Sequence, residues 1–243
     1  MPKLSKSTLM TIGAALAAMT AVLSCAMLKP GLVGQDALRN SAAEMNVSGR
    51  SGWAFKKSVV YGPFHTDTFS TGSPKVNNDR PRNRLIGDDL TRYTTASQDF
   101  HFTQYDSAGD SINVQCLATR NAKIAQYSNL MADESSIDRY EMNLSKNNSE
   151  KVFLTYKKWT PLAVSFGKDS VTMTDEYKPD KKEKMVFQGI LFTRSGETVA
   201  AVCLLDEGFV WIKKDLDNEC KLLIAALSTS MLVQPNLEST SSR

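Results

Sequence analysis

Short runs of β-branched and aromatic residues recur from Met45 onward, and clusters of Gly, Asn, Asp and Ser separate them. This alternation is typical of antiparallel strands joined by turns, so each run is predicted to form one strand. A helix is predicted over Ala122–Asp133, and the polar segment Thr71–Arg84, with its Pro and Asn residues, is predicted to be a loop. The predicted strands are Trp53–Tyr61, His65–Ser70, Phe100–Tyr105, Ile112–Thr119, Val152–Lys157, Leu162–Phe166, Ser170–Thr174, Met185–Thr193, Thr198–Leu205 and Gly208–Lys213.

The last predicted element is a helix that lacks a polar face. Asp217 or Asn218 is its candidate N-cap, and Pro235 follows its predicted end. No charge occurs between Leu222 and Val233, and the hydroxyl groups there can bond back to helix carbonyls. A helix that is apolar all round either spans a membrane or is enclosed by protein. About a dozen residues are too few for a bilayer core, which needs roughly 20, so the helix is predicted to be enclosed.

Two segments of the chain resemble each other. Gly109–Leu117 has the sequence GDSINVQCL, Gly196–Leu204 has the sequence GETVAAVCL, and a Phe-Thr pair precedes each. Both are predicted to be hairpins in which the glycine takes the positive φ of a tight turn. The match is either a duplication or a chance similarity between two hairpins. A duplication would place Cys116 and Cys203 at equivalent core positions in two related halves.

These elements predict an α+β fold that is predominantly antiparallel β. A closed sheet would bury the apolar helix on every side and would remove exposed strand edges. A barrel-like or strongly curved sheet around the C-terminal helix is therefore predicted, and an open sheet or sandwich with one packed helix is the alternative. The segment Met185–Val233 resembles in topology the tubby-like barrel of tubby proteins and phospholipid scramblases, in which a hydrophobic C-terminal helix fills the barrel. The resemblance implies an interaction with lipid, by analogy of fold alone.

The start of the chain has the organisation of an export signal. Lys3 and Lys6 precede an uncharged apolar stretch, Leu9–Leu23, which is short for a membrane-spanning helix. The sequence Val22-Leu23-Ser24-Cys25 resembles the lipobox of bacterial prolipoproteins, although that family more often has a small or β-branched residue at the position of Leu23. The resemblance implies cleavage before Cys25 and lipidation of its thiol, and several acyl chains hold a protein firmly to a bilayer. An ordinary signal peptide with a chance cysteine, or an N-terminal anchor helix, is the alternative.

The predicted organisation has four parts: a signal peptide over residues 1–24, a lipidated N-terminus and tether over 25–44, one β-rich globular domain over 45–233 and a disordered tail over 234–243. If the two similar segments reflect a duplication, the domain consists of two related halves. Each interpretation of the leader places the body outside the cytoplasm, because its lysines favour a cytoplasmic N-terminus. The outer membrane is the expected location if the organism has one, because the residue after Cys25 is not Asp.

The charge and the cysteines bear on the class of protein. The chain has a net charge of +3, to which the two leader lysines contribute, and so weak a positive balance argues against a nucleic-acid binder. Cys116, Cys203 and Cys220 each lie in an apolar run. They are predicted to be small buried hydrophobic residues, rather than one disulfide and one free thiol. No CxxC motif occurs, and neither a metal nor a cofactor is predicted.

Candidate catalytic residues are few. His65 shares a predicted strand face with Asp67, and His101 shares one with Asp99. These pairs are either two halves of a metal or acid–base site or ordinary solvent-facing residues opposite core-facing phenylalanines. No HExxH, GxSxG, SxxK or P-loop motif occurs. No catalytic residue is therefore assigned.

Basic residues cluster at several positions, among them the pair Lys157-Lys158. The predicted loop that contains Arg80, Arg82 and Arg84 is the candidate site for an anionic ligand, either lipid headgroups or an envelope polymer. Solvated surface charge is the alternative interpretation of all these clusters.

The sequence as a whole predicts a membrane-anchored extracytoplasmic lipoprotein that acts as a non-enzymatic binding or structural module of the cell envelope. Its expected partner is the membrane, through the lipid on Cys25. The alternative is an exported hydrolase or metal-dependent enzyme that uses His65 and His101.

Overall fold

The computed structural model describes residues 38–50, 58–67, 69–79, 90–127, 130–146, 150–158, 160–179, 185–235 and 237. They belong to one unit, Leu32–Arg243, and contain one helix, α1 (Asn218–Leu232). In chain order their strands are β1 (Ala42–Asn46), β2 (Val60–Tyr61), β3 (Phe64–Thr66), β4 (Ser70–Thr71), β5 (Lys75–Asp79), β6 (Leu90–Tyr105), β7 (Ser111–Tyr127), β8 (Leu130–Lys146), β9 (Glu150–Lys157), β10 (Leu162–Phe166), β11 (Asp169–Pro179), β12 (Met185–Arg194), β13 (Glu197–Cys203) and β14 (Phe209–Lys213).

The strands form two antiparallel sheets. The first sheet has the order β1-β14-β13-β12-β11-β10; the second has the order β2-β3-β6-β7-β8-β9, with β4 and β5 also paired to β6. Buried and exposed residues alternate with the period of a half-buried strand. In β7, for example, Ile112, Val114 and Cys116 are buried, whereas Asn113 and Gln115 are exposed. Each sheet therefore turns an apolar face toward one shared core.

Helix α1 lies between the two sheets. It contacts β6 and β7 of the second sheet and β13 and β14 of the first. Cys220 and every residue from Leu222 to Leu232 are buried, which confirms the predicted enclosure of an apolar helix. The helix occupies the space that interdigitating side chains fill in a two-layer sandwich. Without it, the inner faces of both sheets would be exposed to water.

Polar groups inside this core bond to one another. The Tyr61 hydroxyl donates to the Ala225 carbonyl at 2.7 Å and lies 2.9 Å from the Thr229 hydroxyl, which donates to Gln104 Oε1 at 2.6 Å. Gln104 Nε2 donates to the His65 carbonyl at 3.0 Å. Burial raises the pKa of Tyr61 well above its usual range, so the hydroxyl stays protonated. The bonds join β2, α1, β6 and β3, and they fix the rotation of the helix about its axis.

The prediction of a closed barrel is wrong, because the described strands form two open sheets. On one side the sheets meet at a single bridge, Ser48 to Val60, since β2 has only two residues and offers few groups for a ladder. On the other side β9 lies close to β10, and the described residues of the two strands do not pair. Pro161, just before β10, has no N–H to donate.

The observed architecture is therefore the alternative, open sheets with one packed helix. The predicted α+β class, predominantly antiparallel β, is confirmed. The resemblance to the tubby-like arrangement stays a prediction.

The predicted helix over Ala122–Asp133 is also wrong. Of these residues, 122–127 form the end of β7 and 130–133 form the start of β8, and Tyr127 pairs with Leu130. Residues such as Ala and Lys favour a helix locally, but long ladders with β6 and β8 override that preference. The pairing of Leu90 with Gln126 shows how far the β6–β7 ladder extends.

Two predicted irregular segments contain strands. The predicted loop Thr71–Arg84 includes β5, which pairs with β6 from Lys75 to Asp79. The predicted tether over 25–44 overlaps β1, and Leu38 before it is buried against Trp211. The short polar sequences of these strands carry little periodic signal, and each strand depends on a partner far away in the chain.

Both predicted hairpins are present, with Gly109 at φ +88° and Gly196 at φ +83°. Cys116 and Cys203 do not lie at the equivalent core positions that a duplication would give them. Cys116 belongs to the main core around α1, whereas Cys203 packs in a smaller cluster on the other face of the first sheet. The cause is a bulge: Thr193 pairs with Thr198, but Phe192 pairs with Ala200, so one extra residue reverses the faces of β13.

All three cysteines that the structure describes, Cys116, Cys203 and Cys220, are buried and free. The prediction that they pack as small hydrophobic residues is confirmed. Burial raises the pKa of the Cys116 thiol to about 12 and that of Cys220 to about 11, so both are protonated thiols at neutral pH.

Two carboxylates and one arginine fix the start of α1. Asp217 is the N-cap, as predicted, and its Oδ1 accepts the Cys220 N–H at 2.9 Å. Arg194 lies 3.5 Å from Asp217 Oδ2 and 3.1 Å from Asp169 Oδ1; the second contact is an ion pair without hydrogen-bond alignment. The Cys220 N–H lowers the pKa of Asp217, whereas burial raises the pKa of Asp169 despite Arg194.

Replacing Asp217 by Ala should destabilise the protein by about 1 kcal/mol, the typical effect of losing an N-cap. The folded-state pKa of Asp217 is depressed. The contribution of its charge is therefore present above the unfolded pKa and is lost as the pH falls through the folded pKa. Urea unfolding at neutral pH and at roughly pH 3 measures this, and the difference between wild type and variant should shrink at the lower pH.

Asp215→Ala is the matched control, because Asp215 is exposed and precedes the cap. It should change stability by less than about 0.5 kcal/mol. Equal effects of the two substitutions at neutral pH would contradict the capping role of Asp217.

Candidate functional site

A cavity of about 260 Å³ lies at the C-terminal end of α1. Its walls come from both sheets and from the residues that follow the helix. Three of its lining residues are cationic, and no carboxylate is among the described residues that line it. We call it the Arg50 cavity, and its principal lining residues are Arg50, Arg120, Lys158, Phe187, Leu204 and Met231.

Three main-chain carbonyls hold the Arg50 side chain. Its Nε donates to Leu232 at 2.9 Å, its NH1 group to Asp206 at 2.7 Å and its NH2 group to Leu204 at 2.8 Å. Leu232 is the last residue of α1, so the guanidinium satisfies a helix-end carbonyl and offsets the negative end of the helix dipole. An arginine has five N–H donors, and these three bonds leave two of them for a ligand. Burial lowers the pKa of Arg50, which nonetheless stays cationic at neutral pH.

Two further cations line the cavity. Arg120 is buried on the inward face of β7. Lys158 follows β9, and its ammonium lies 5.8 Å from the centroid of the Phe187 ring in a cation–π contact. Three positive charges around a partly enclosed space create a positive potential, since low-dielectric walls focus the field. The carboxylates of Asp206 and Glu207 also act on Arg50, but neither lines the cavity, so the charge of the lining favours an anion.

A second layer of aromatic residues supports the cavity walls. Asp175 accepts hydrogen bonds from the hydroxyl of Tyr156 and, at 3.1 Å, from that of Tyr177. The Tyr156 ring packs on Tyr140, which lines the cavity, and the Tyr177 ring packs on Phe187, with centroids 5.9 and 5.3 Å apart. Burial raises the pKa of both hydroxyls, so they stay protonated donors to Asp175. Tyr156 and Tyr177, which are both bonded to Asp175, thus support the lining residues Tyr140 and Phe187.

The chain after α1 completes the cavity. Gln234, Pro235 and Leu237 line it, and Pro235 and Leu237 are buried. These three residues lie within the segment 234–243 that is predicted to be a disordered tail. Pro235 cannot continue a helix, and Leu237 packs against the main core because its side chain is apolar.

His65 and His101 lie on the same exposed face of the second sheet, but they are far apart. His65 pairs with Tyr105 and stacks on its ring with centroids 5.3 Å apart, and His101 is four residues from Tyr105 along β6. Four residues of a strand span about 13 Å, and side chains on one face stand roughly parallel. The two imidazoles do not converge on one ion. In the described part of the chain, no group of three or more His, Cys, Asp or Glu residues could hold a metal.

The other predicted site residues lie outside the described residues. These are Cys25, the predicted lipidation site, and Arg80, Arg82 and Arg84 of the predicted anion-binding loop. Both assignments stay predictions.

Sequence reasoning missed the Arg50 cavity. A signal for Arg120 exists, because the alternation that buries Ile112 and Ala118 in β7 also places Arg120 on the inward face. A charged residue at an inward position indicates a buried partner or a site. For Arg50 there is no such local signal, since 182 residues separate it from Leu232.

No protein-family model, no curated protein and no solved structure matches this chain. Within the residues that the structure describes, no helix combines the length and the apolar character that crossing a membrane requires. The function is therefore argued from the geometry of the site and from the leader.

Replacing Arg50 by Ala should lower the free energy of unfolding by about 2 kcal/mol, because three carbonyls lose a charged donor. Chemical denaturation measures the change. Arg139→Ala is the control: Arg139 forms a surface ion pair with Glu141 at 2.8 Å, and such pairs contribute at most about 1 kcal/mol. A variant at Arg50 no less stable than the control would show that Arg50 does not hold the end of α1.

Proposed function

We propose that this protein is a membrane-anchored extracytoplasmic lipoprotein that acts as a non-enzymatic binding module of the cell envelope, with the Arg50 cavity as its ligand site. The observation that carries the binding role is the cavity itself. It is a partly open concavity between both sheets at the end of α1, and its lining combines three cations with aromatic and aliphatic side chains. A concave apolar pocket with a few converging polar groups is the usual form of a ligand site.

The support for membrane anchoring comes from the leader. Lys3 and Lys6, the apolar stretch Leu9–Leu23 and the small residue before Cys25 occur in the order that a lipoprotein signal requires. An anchored binding domain keeps its ligand site close to the membrane surface. The tether between Cys25 and Leu38 then sets how far the cavity can lie from the bilayer.

The anchor is tested by the intact mass of the N-terminal peptide from the membrane fraction. We expect a peptide that begins at Cys25 and carries acyl chains, and we expect the Cys25→Ala variant to retain its leader and to lack the acyl mass. An unmodified N-terminus near Cys25 would indicate a soluble exported protein. Retention of residues 1–24 by the wild-type protein would indicate an anchor helix.

The binding role is tested by native mass spectrometry of the full chain, released from its membrane in a mild detergent. The wild-type protein should carry a small bound molecule. Leu204→Trp, which fills the cavity, should be free of it. Phe153→Trp is the matched control, because Phe153 is an exposed aromatic residue outside the cavity, and this variant should retain the ligand.

A parallel unfolding measurement establishes that Leu204→Trp is folded. If Leu204→Trp does not fold, Lys158→Met takes its place, since it removes a cation without adding volume. Equal masses of bound material in all variants, or none in the wild type, would refute the cavity as the ligand site. If His65→Ala and His101→Ala each abolish an enzymatic activity of the protein but retain the bound molecule, the enzymatic alternative would be favoured.

A further inference from the structure

The chemistry of the Arg50 cavity defines the class of its ligand, an inference that rests on the proposed binding function. We infer that the cavity binds a small amphiphilic anion: a carboxylate or phosphate monoester head that carries a short apolar chain. The head contacts Arg50, Arg120 and Lys158. The chain packs against Phe187, Leu204 and Met231.

The cationic side of the cavity calls for an anionic head. Guanidinium groups bind carboxylate and phosphate oxygens through paired hydrogen bonds, and two of the three cations are arginines. The side chain of Arg50 is already fixed by the carbonyls of Leu204, Asp206 and Leu232. A donor that is held in place before binding loses little conformational entropy when the ligand arrives, which favours affinity.

The C-terminal end of α1 also requires a cation beside the cavity if an anion is to bind there. Carbonyl groups at a helix C-terminus carry partial negative charge, which repels an anion unless cations intervene. Arg50 lies between the Leu232 carbonyl and the cavity and is bonded to that carbonyl. The guanidinium thus neutralises the helix end, and it has two N–H groups beyond those bonded to carbonyls.

The apolar side of the cavity excludes a purely inorganic ligand. Phe187, Leu204 and Met231 line it, and Pro235 and Leu237 continue the apolar surface. Water in contact with such a surface is displaced favourably by a hydrocarbon chain. A thioether such as that of Met231 adapts its shape to flexible chains. The head and the chain of one amphiphile satisfy both sides together.

The volume bears on the choice of probe. At about 260 Å³ the cavity is close to the lower end of the range of small-molecule sites, which suits a single short chain with its head. Octanoate and octyl phosphate are therefore suitable probes for the two head chemistries.

The test is isothermal titration of the full chain in nanodiscs of zwitterionic lipid, with empty nanodiscs subtracted. Octanoate and octyl phosphate are titrated separately, which distinguishes a carboxylate source from a phosphate source. Octanol, octyltrimethylammonium and inorganic phosphate are the comparison ligands. We expect saturable binding of one molecule per chain for at least one of the octyl anions, and binding at least about tenfold weaker for each comparison ligand.

The matched pair of variants is Lys158→Met and Lys157→Met. Lys158 lines the cavity, whereas its neighbour Lys157 is exposed and does not. Both changes shorten the side chain by one atom, keep it unbranched and remove one charge. Lys158→Met should weaken binding of the octyl anion by about tenfold, and Lys157→Met should leave it within about twofold of the wild type. Leu204→Trp should abolish binding.

Equal binding of octanol or octyltrimethylammonium would overturn the requirement for an anion. Equal binding of inorganic phosphate would overturn the requirement for a chain, and equal effects of the two lysine variants would place the site elsewhere. If neither octyl anion binds, the ligand class is wrong. In that case the native mass spectra decide whether the proposed function also fails, because a bound molecule lost only from Leu204→Trp would keep the cavity as a site for another ligand.

Discussion

An α-helix with no polar face requires protein on every side, and the rest of this structure satisfies that requirement. Helix α1 has buried residues around its whole circumference, so one sheet cannot cover it. Two sheets do so, and their apolar faces meet across it. The hydroxyls on the helix cannot reach water, and two of them bond inward: Thr229 donates to Gln104, and Ser230 donates to the Ala226 carbonyl. The third, that of Ser228, is buried without a hydrogen-bond partner among the described residues. The single bridge at Ser48 and the open sheet edges accompany this enclosure of one helix between two layers.

The two ends of α1 carry opposite partial charges, and side chains of opposite charge stabilise them. At the start, exposed N–H groups favour negative charge, and Asp217 supplies it while Arg194 joins that carboxylate to Asp169. At the end, exposed carbonyls favour positive charge, and Arg50 supplies it. The first end is filled by side chains, whereas the second leaves a cavity beside its arginine. One residue there stabilises the fold and shapes a site, so stability and binding are coupled through Arg50.

The parts of the fold that depend on neighbouring residues could be predicted from the sequence. The bounds of β10, the Asp217 cap and the two hairpin glycines follow from local periodicity and turn chemistry. Strand β8 could not be predicted, because its polar sequence acquires a strand conformation only by pairing with β7 and β9. The face of Cys203 depends on one extra residue in β13, which alternation alone does not reveal. The cavity depends on a contact between Arg50 and the end of α1, which are far apart in the sequence. In the sequence, only the inward position of Arg120 indicates such a site.

The position of α1 near the end of the chain has a consequence for folding. Both sheets are encoded before it, and β1 must wait for β14, with Ala42 pairing with Lys213. Contacts between residues so distant in sequence form late. A chain that emerges N-terminus first therefore presents apolar strands with nothing to cover them until α1 has been synthesised. Maturation of this unit waits for α1, and a chain interrupted before α1 would present uncovered strands to proteases and chaperones.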